Sequence, residues 1–240
     1  MLHVSLPRSI DPGAAMRLLK DLERAHADSN DGAIVLTGID GVFCEGLDLE
    51  ALTSGTIKRD GIADSLETFA RGLRLLQRSR KPTIALVDGE ARGGGLGLAA
   101  ACDVVIASER SRFALPELLW GLLPAVIYPS LRQRLSLRQC RLWLMTGSAR
   151  TAEEARESGL VDEVVPSAAL ERACAQWERR LSRARPESIV KLRAFLEEDL
   201  RDAEDGTRRG IAITSEALMD AGIREALRQF AEGGLPPWGR

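Results

Sequence analysis

Compact apolar runs alternate along this chain with stretches whose apolar residues recur at helical spacing. That alternation constrains the fold more than any other feature. Residues 2–6, 33–37, 82–87 and 104–107 read as short strands. Between them, Asp11-Pro12 starts a helix, with an acid to cap it and a proline in its first turn. Ala15, Met16, Leu18, Leu19, Leu22 and Ala25 follow at helical spacing, and 48–52, 66–76 and 96–101 also have a helical pattern. Strands in turn with helices imply an α/β fold with a largely parallel sheet, because parallel neighbours need a long crossover. Residues 54–61 are polar and bounded by glycine, which predicts a flexible loop. From Ser130 onward the pattern is mostly helical, with a capping box at Thr151-Ala152-Glu153-Glu154 and a further helix start at Pro186. No composition break separates two domains. The reading is one α/β unit, with a core over 1–185 and a helical extension over 186–240.

Composition excludes several chemistries. The 33 basic residues nearly balance the 35 acidic ones, giving a net charge of −2 with 4% aromatics, so nothing favours nucleic acid or an anionic membrane as partner. Neither a signal segment nor a long apolar run is evident, so a cytoplasmic protein without membrane association is expected. The two histidines, His3 and His26, lie near the start, and Cys44, Cys102, Cys140 and Cys174 lack metal-site spacing. Metal binding is therefore not expected. Catalysis falls to carboxylates and backbone groups.

The Gly93-Gly94-Gly95 turn is the first candidate site. Gly95-Leu96-Gly97-Leu98-Ala99-Ala100 satisfies a loose dinucleotide fingerprint, but the match is weak, with no clear acidic partner beyond Glu117. Two readings remain. The glycines either allow tight packing, or let the backbone approach a ligand and aim N–H groups at a developing oxyanion.

Several segments together resemble the crotonase (enoyl-CoA hydratase/isomerase) superfamily. They are Val42-Phe43-Cys44-Glu45-Gly46-Leu47-Asp48-Leu49, then Lys81 to Gly89 leading into the triple glycine, then Ala101-Cys102-Asp103. Phe113-Ala114-Leu115-Pro116-Glu117, Gly121, Pro124 and Leu144-Met145-Thr146-Gly147 continue the series, which ends at Ala155 and Gly159-Leu160-Val161. The resemblance implies a fold of repeated ββα units with a C-terminal helical trimerisation region, as a homotrimer or dimer of trimers. It implies no cofactor, only an acyl thioester carried on coenzyme A or on the phosphopantetheine of an acyl carrier protein. By the same resemblance, the N–H groups of Leu47 and Gly94 form an oxyanion hole.

Hydratases of this family carry two glutamates. The resemblance places the first where this chain has Gly97, and the second at Glu117. One carboxylate suffices to move a proton between carbons, or to take an α-proton and return it to a departing hydroxyl. Taken alone, Glu117 would also fit a solvated residue at a helix start.

Phe113 to Tyr128 and the terminal Glu232-Gly233-Gly234-Leu235-Pro236-Pro237-Trp238 further resemble the dehydratases of polyketide β-branching cassettes. These remove water from a 3-hydroxy-3-methylglutaryl group on a carrier protein, leaving 3-methylglutaconyl. By position, Arg92, Lys58 and Arg59 are candidate contacts for a distal carboxylate, and Tyr128 for the hydroxyl. Glu45 is expected to face solvent. Trp120, Trp143, Trp177 and Trp238 are expected in the core or at a subunit interface, with Trp238 a candidate cover for the acyl pocket. A single-glutamate isomerase or hydratase of acyl-CoA metabolism and a non-catalytic assembly protein are the competing readings.

Overall fold

In chain order the strands are β1 (Leu2–Ser5), β2 (Ile34–Thr37), β3 (Val42–Cys44), β4 (Thr83–Val87), β5 (Glu90–Arg92), β6 (Val104–Ser108), β7 (Arg112–Ala114), β8 (Arg150–Thr151) and β9 (Glu163–Val165). They come from a computed structural model that describes residues 1–29, 32–53, 59–184, 186–198 and 202–233. One sheet has the order β1-β2-β4-β6-β9 and is parallel throughout. A second has the order β3-β5-β7-β8, with only β8 antiparallel.

The central strands are apolar at successive positions because both sheet faces are covered. Ile34, Leu36, Ala85, Val87, Val105 and Ala107 point into the main core. Val35, Ile84, Leu86, Val104 and Ile106 point the other way, onto Leu170, Ala173 and Cys174.

The residue pattern found β1, β2, β4 and β6 to within a residue or so. It missed the second sheet, whose strands are only two or three residues long, too short for alternation to register. With that sheet in place the chain shows the ββα repeat. β2 and β3 lead into α2 (Leu49–Thr53) and α3 (Arg59–Gln77), and β4 and β5 lead into α4 (Gly94–Ala100). The predicted loop is corrected in part. Residues 59–61 form the start of α3, and 54–58, Lys58 among them, lie outside the described residues.

Helix α1 (Pro12–Ala27) starts as predicted, with the Asp11 carboxylate accepting from the Ala14 N–H at 2.6 Å. Leu18 and Leu22 join Leu66, Phe69 and Leu73 of α3 in the core, whereas Met16 is exposed. Lys81 is buried, and its ammonium closes the far end of α1 by donating to the carbonyls of Ala25 and Asp28 at 2.7 and 2.8 Å. After the short 3₁₀ turn Glu117–Trp120 come α5 (Tyr128–Arg134), α6 (Leu137–Thr146), α7 (Ala152–Glu157) and α8 (Leu170–Leu181). The capping box of α7 is present, with Thr151 and Glu154 exchanging both bonds.

The last helices are α9 (Pro186–Glu198), α10 (Asp202–Met219) and α11 (Ala221–Ala231). Arg193 ties α9 down, donating to the Leu76 carbonyl and the Asp103 carboxylate, each at 2.6 Å. Leu218, Ala226 and Leu227 are buried in the main core, so α10 and α11 are part of it. All four cysteines are buried and unbridged. Burial pushes the Cys102 thiol up to about 12, as befits a core residue. No helix among the described residues is long and apolar enough to cross a membrane.

Candidate active site

The loop after β3 and the turn after β5 meet because both are glycine at the contact. A Cβ on Gly46, which has φ +83°, would lie 2.8 Å from the Gly94 nitrogen and 2.9 Å from the Arg92 carbonyl. Gly95 seats equally closely, since a Cβ there would fall 2.0 Å from the Cys44 carbonyl oxygen. The Gly46 carbonyl accepts from the Ile10 N–H at 2.7 Å, and the Asp48 N–H donates to the Ile10 carbonyl at 3.1 Å. Leu47 is thereby fixed between two bonded neighbours. Among the described residues, no acceptor takes up the N–H of Leu47 or that of Gly94. Both residues line one cleft of about 570 Å³. Two backbone donors therefore stand free on adjoining segments, and the one at Gly94 also opens α4.

Glu117 stands over this turn. A Cβ on Gly93 would meet its Oε1 at 2.7 Å, so the backbone at Gly93, with φ +48°, leaves the room the carboxyl fills. The residue as a whole is half-buried, but Oε2 is closed to solvent and has no partner among the described residues. Burial pushes the carboxyl up from an ordinary 4.5 to about 7, against a smaller opposing pull from its own backbone N–H. A glutamate of this kind exchanges protons near neutral pH.

Opposite the expected place of a second glutamate, Ile127 fills the space. A Cβ on Gly97 would lie 2.3 Å from Ile127 Cγ2, so no side chain fits at 97. Leu66, Phe69, Leu122, Val126, Leu227 and Phe230 make the remaining wall largely apolar.

The other candidate residues divide. Arg92 lines the cleft but directs its Nε to Glu90 at 3.1 Å. Glu45 does not simply face solvent. It lines the cleft and holds Arg8 through two bonds of 3.0 and 3.2 Å, an ion pair the sequence reading missed. Tyr128 is not among the cleft residues and packs against the core instead. Arg59 begins α3, and Trp238 lies outside the described residues. Trp143 is fully buried, and Trp177 donates to Glu163 at 2.6 Å. Trp120 is buried, lines the cleft and meets Phe230 of α11 with ring centroids 4.3 Å apart. Thr214, Leu227 and Phe230 escaped the sequence reading because they come from the two last helices, more than 90 residues away along the chain. Among the described residues, no group of histidine, cysteine and acid side chains could hold a metal ion.

Comparison with known proteins identifies the family. The family model for enoyl-CoA hydratase/isomerase matches residues 8–240. The chain belongs to that family. It is 31% identical over 231 residues to a Thermus thermophilus protein assigned as an enoyl-CoA hydratase, a match covering 95% of this chain and 90% of the relative. It is 34% identical over 157 residues to the 2,3-dehydroadipyl-CoA hydratase of Escherichia coli, covering 63% of this chain and 58% of that protein. A solved structure assigned as a polyketide biosynthesis enoyl-CoA hydratase of Bacillus subtilis superposes with a TM-score of 0.84 at 21% identity, covering 98% of this chain and 94% of its own. At that identity the likeness concerns the fold, which is the family's mixed α/β architecture.

Proposed function

We propose that this member of the enoyl-CoA hydratase/isomerase family is a lyase that removes water from a 3-hydroxyacyl thioester with one carboxylate. Its proposed substrate is a 3-hydroxy-3-methylglutaryl group on an acyl carrier protein, dehydrated to 3-methylglutaconyl during polyketide β-branching. The observation that carries the reading is the pairing of Glu117, its Oε2 closed to solvent, over the Gly93–Gly94 turn with an Ile127-filled space at Gly97. Two-carboxylate hydration lacks its second glutamate at position 97, whereas a same-face elimination needs only one carboxylate. The resemblance of Phe113 to Tyr128 to the β-branching dehydratases suggests the substrate class, and the polyketide-biosynthesis structure shares the fold.

In this mechanism the thioester oxygen sits between the N–H groups of Leu47 and Gly94. As the α-proton leaves, charge builds on that oxygen, and the two donors hold it without reorganising. Ionised Glu117 takes the α-proton. The β-carbon–oxygen bond then breaks, a double bond forms between the α- and β-carbons, and Glu117 returns the proton to the leaving hydroxyl, which departs as water. The carboxylate ends in the form in which it began. The apolar wall excludes competing water.

The test is mass spectrometry of a carrier protein loaded with 3-hydroxy-3-methylglutaryl. Loss of the mass of one water with the wild type and not with Glu117→Gln is the expected result. An unchanged mass with the wild type, together with double-bond migration in a 3-enoyl-CoA, would overturn the dehydratase reading in favour of an isomerase.

A further inference from the structure

Trp120 repeats, three residues on, the oddity of Glu117. Its indole Nε1 is buried and without a partner among the described residues, although the ring is 96% buried by area and lines the cleft. Glu117 and Trp120 are the first and last residues of one 3₁₀ turn, in which positions three apart eclipse, so both side chains leave on the same side. A buried indole N–H normally finds an acceptor. The Thr214 hydroxyl, which lines the same cleft, donates to the Leu123 carbonyl at 3.0 Å, and among the described residues none of the cleft's carboxylates, Glu45, Asp48, Glu50 and Glu117, accepts from the indole. Phe230 packs on the ring, and Leu122, Val126 and Leu227 line the same cleft. The indole can only donate, so what it lacks is an acceptor oxygen.

We infer that Trp120 is a specificity-determining residue whose Nε1–H receives a carboxylate oxygen at the far end of the acyl chain. This deepens the proposed function and rests on it for the identity of the acyl group. A simple aliphatic acyl chain would leave the indole N–H unpartnered, as it is in the free protein. An acyl chain with a terminal carboxylate satisfies it, and the site prefers that chain for the same reason that a site built around a hydrogen bond rejects an analogue lacking it. The Phe230 ring holds the indole in place, so the donor is positioned before the ligand arrives.

The experiment measures Kd for two unreactive thioesters, 3-methylglutaryl-CoA and isovaleryl-CoA, which differ in the terminal carboxylate. It uses the wild type and a protein in which Trp120 is replaced by benzothienylalanine, a near-isostere with sulfur in place of N–H. Trp120→Phe serves as a second variant, with its fold checked by circular dichroism. The wild type is expected to prefer the 3-methylglutaryl thioester by roughly ten- to a hundredfold, the range for one hydrogen bond to a charged group. The benzothienylalanine protein is expected to lose most of that preference while binding isovaleryl-CoA as before. A preference that survives removal of the N–H, or a wild type without preference, overturns the inference. Because neither probe can lose water, these outcomes are separate from failure of the dehydration assay, which would overturn the proposed reaction alone.

Discussion

Replacing Glu117 by Gln separates the stability cost of the buried acid from its chemical use. The folded protein holds this carboxyl near 7, while an unfolded chain ionises it near 4.5. Below about pH 4.5 both states are protonated and the carboxyl makes no difference. Between the two values the unfolded state loses its proton and the folded state keeps it, so stability falls as pH rises, by about 1.4 kcal/mol per pH unit. Above about pH 7 both are ionised and the loss levels off at roughly 3 kcal/mol, as an upper bound. Gln has no such proton. The stability of Glu117→Gln relative to the wild type is therefore expected to climb by up to roughly that amount between pH 4.5 and 8. Urea denaturation across that range measures it, with every other titrating group common to both proteins. In parallel, wild-type kcat/KM should rise with pH and level off above about 7, since the base must be ionised to accept the α-proton. The variant should be inactive at every pH. A stability difference that stays flat with pH would refute the argument that burial holds the proton on Glu117.

Other expectations follow from the packing. Gly97→Ala forces a Cβ to 2.3 Å from Ile127 and should cost about 1–3 kcal/mol in a denaturation experiment, without gain of a second catalytic group. Gly46→Ala must move the Gly94 backbone or adopt a strained φ near +83°, so kcat should fall more than KM rises in steady-state assays. Lys81→Met leaves the Ala25 and Asp28 carbonyls without the ammonium that holds them, and thermal unfolding should show a loss of about 1–3 kcal/mol. Thr151→Ala removes the cap of α7 and should cost about 1 kcal/mol by the same measurement, with activity unchanged.

Much of this protein was legible in the order of its residues. Four strands of the five-stranded sheet follow from apolar runs, of which β4 and β6 are buried at every position, while the half-buried β9 was not read. Helices α1 and α7 follow from Asp11-Pro12 and Thr151–Glu154, because capping is a local exchange between neighbours. The triple glycine and the glutamate after Pro116 were visible as candidates, and the glycine at 97 marked where a second acid is missing. Other features could not be read there. Strands as short as β3 and β5 carry no periodic signal, yet they bring Gly46 against Gly94. The pairing of Arg8 with Glu45 joins segments 37 residues apart. The proton held on Glu117 depends on burial, which is a property of the surroundings and not of the residue. The sequence by itself determined that position 97 carries no acid and that the triple glycine and the acid Glu117 are present. The tertiary structure alone decided that two backbone donors are left free beside that acid, that Ile127 closes the space opposite, and that α10 and α11 complete the wall. Those facts require distant segments to meet, and what brings them together is the burial of apolar surface, which follows no local rule along the chain.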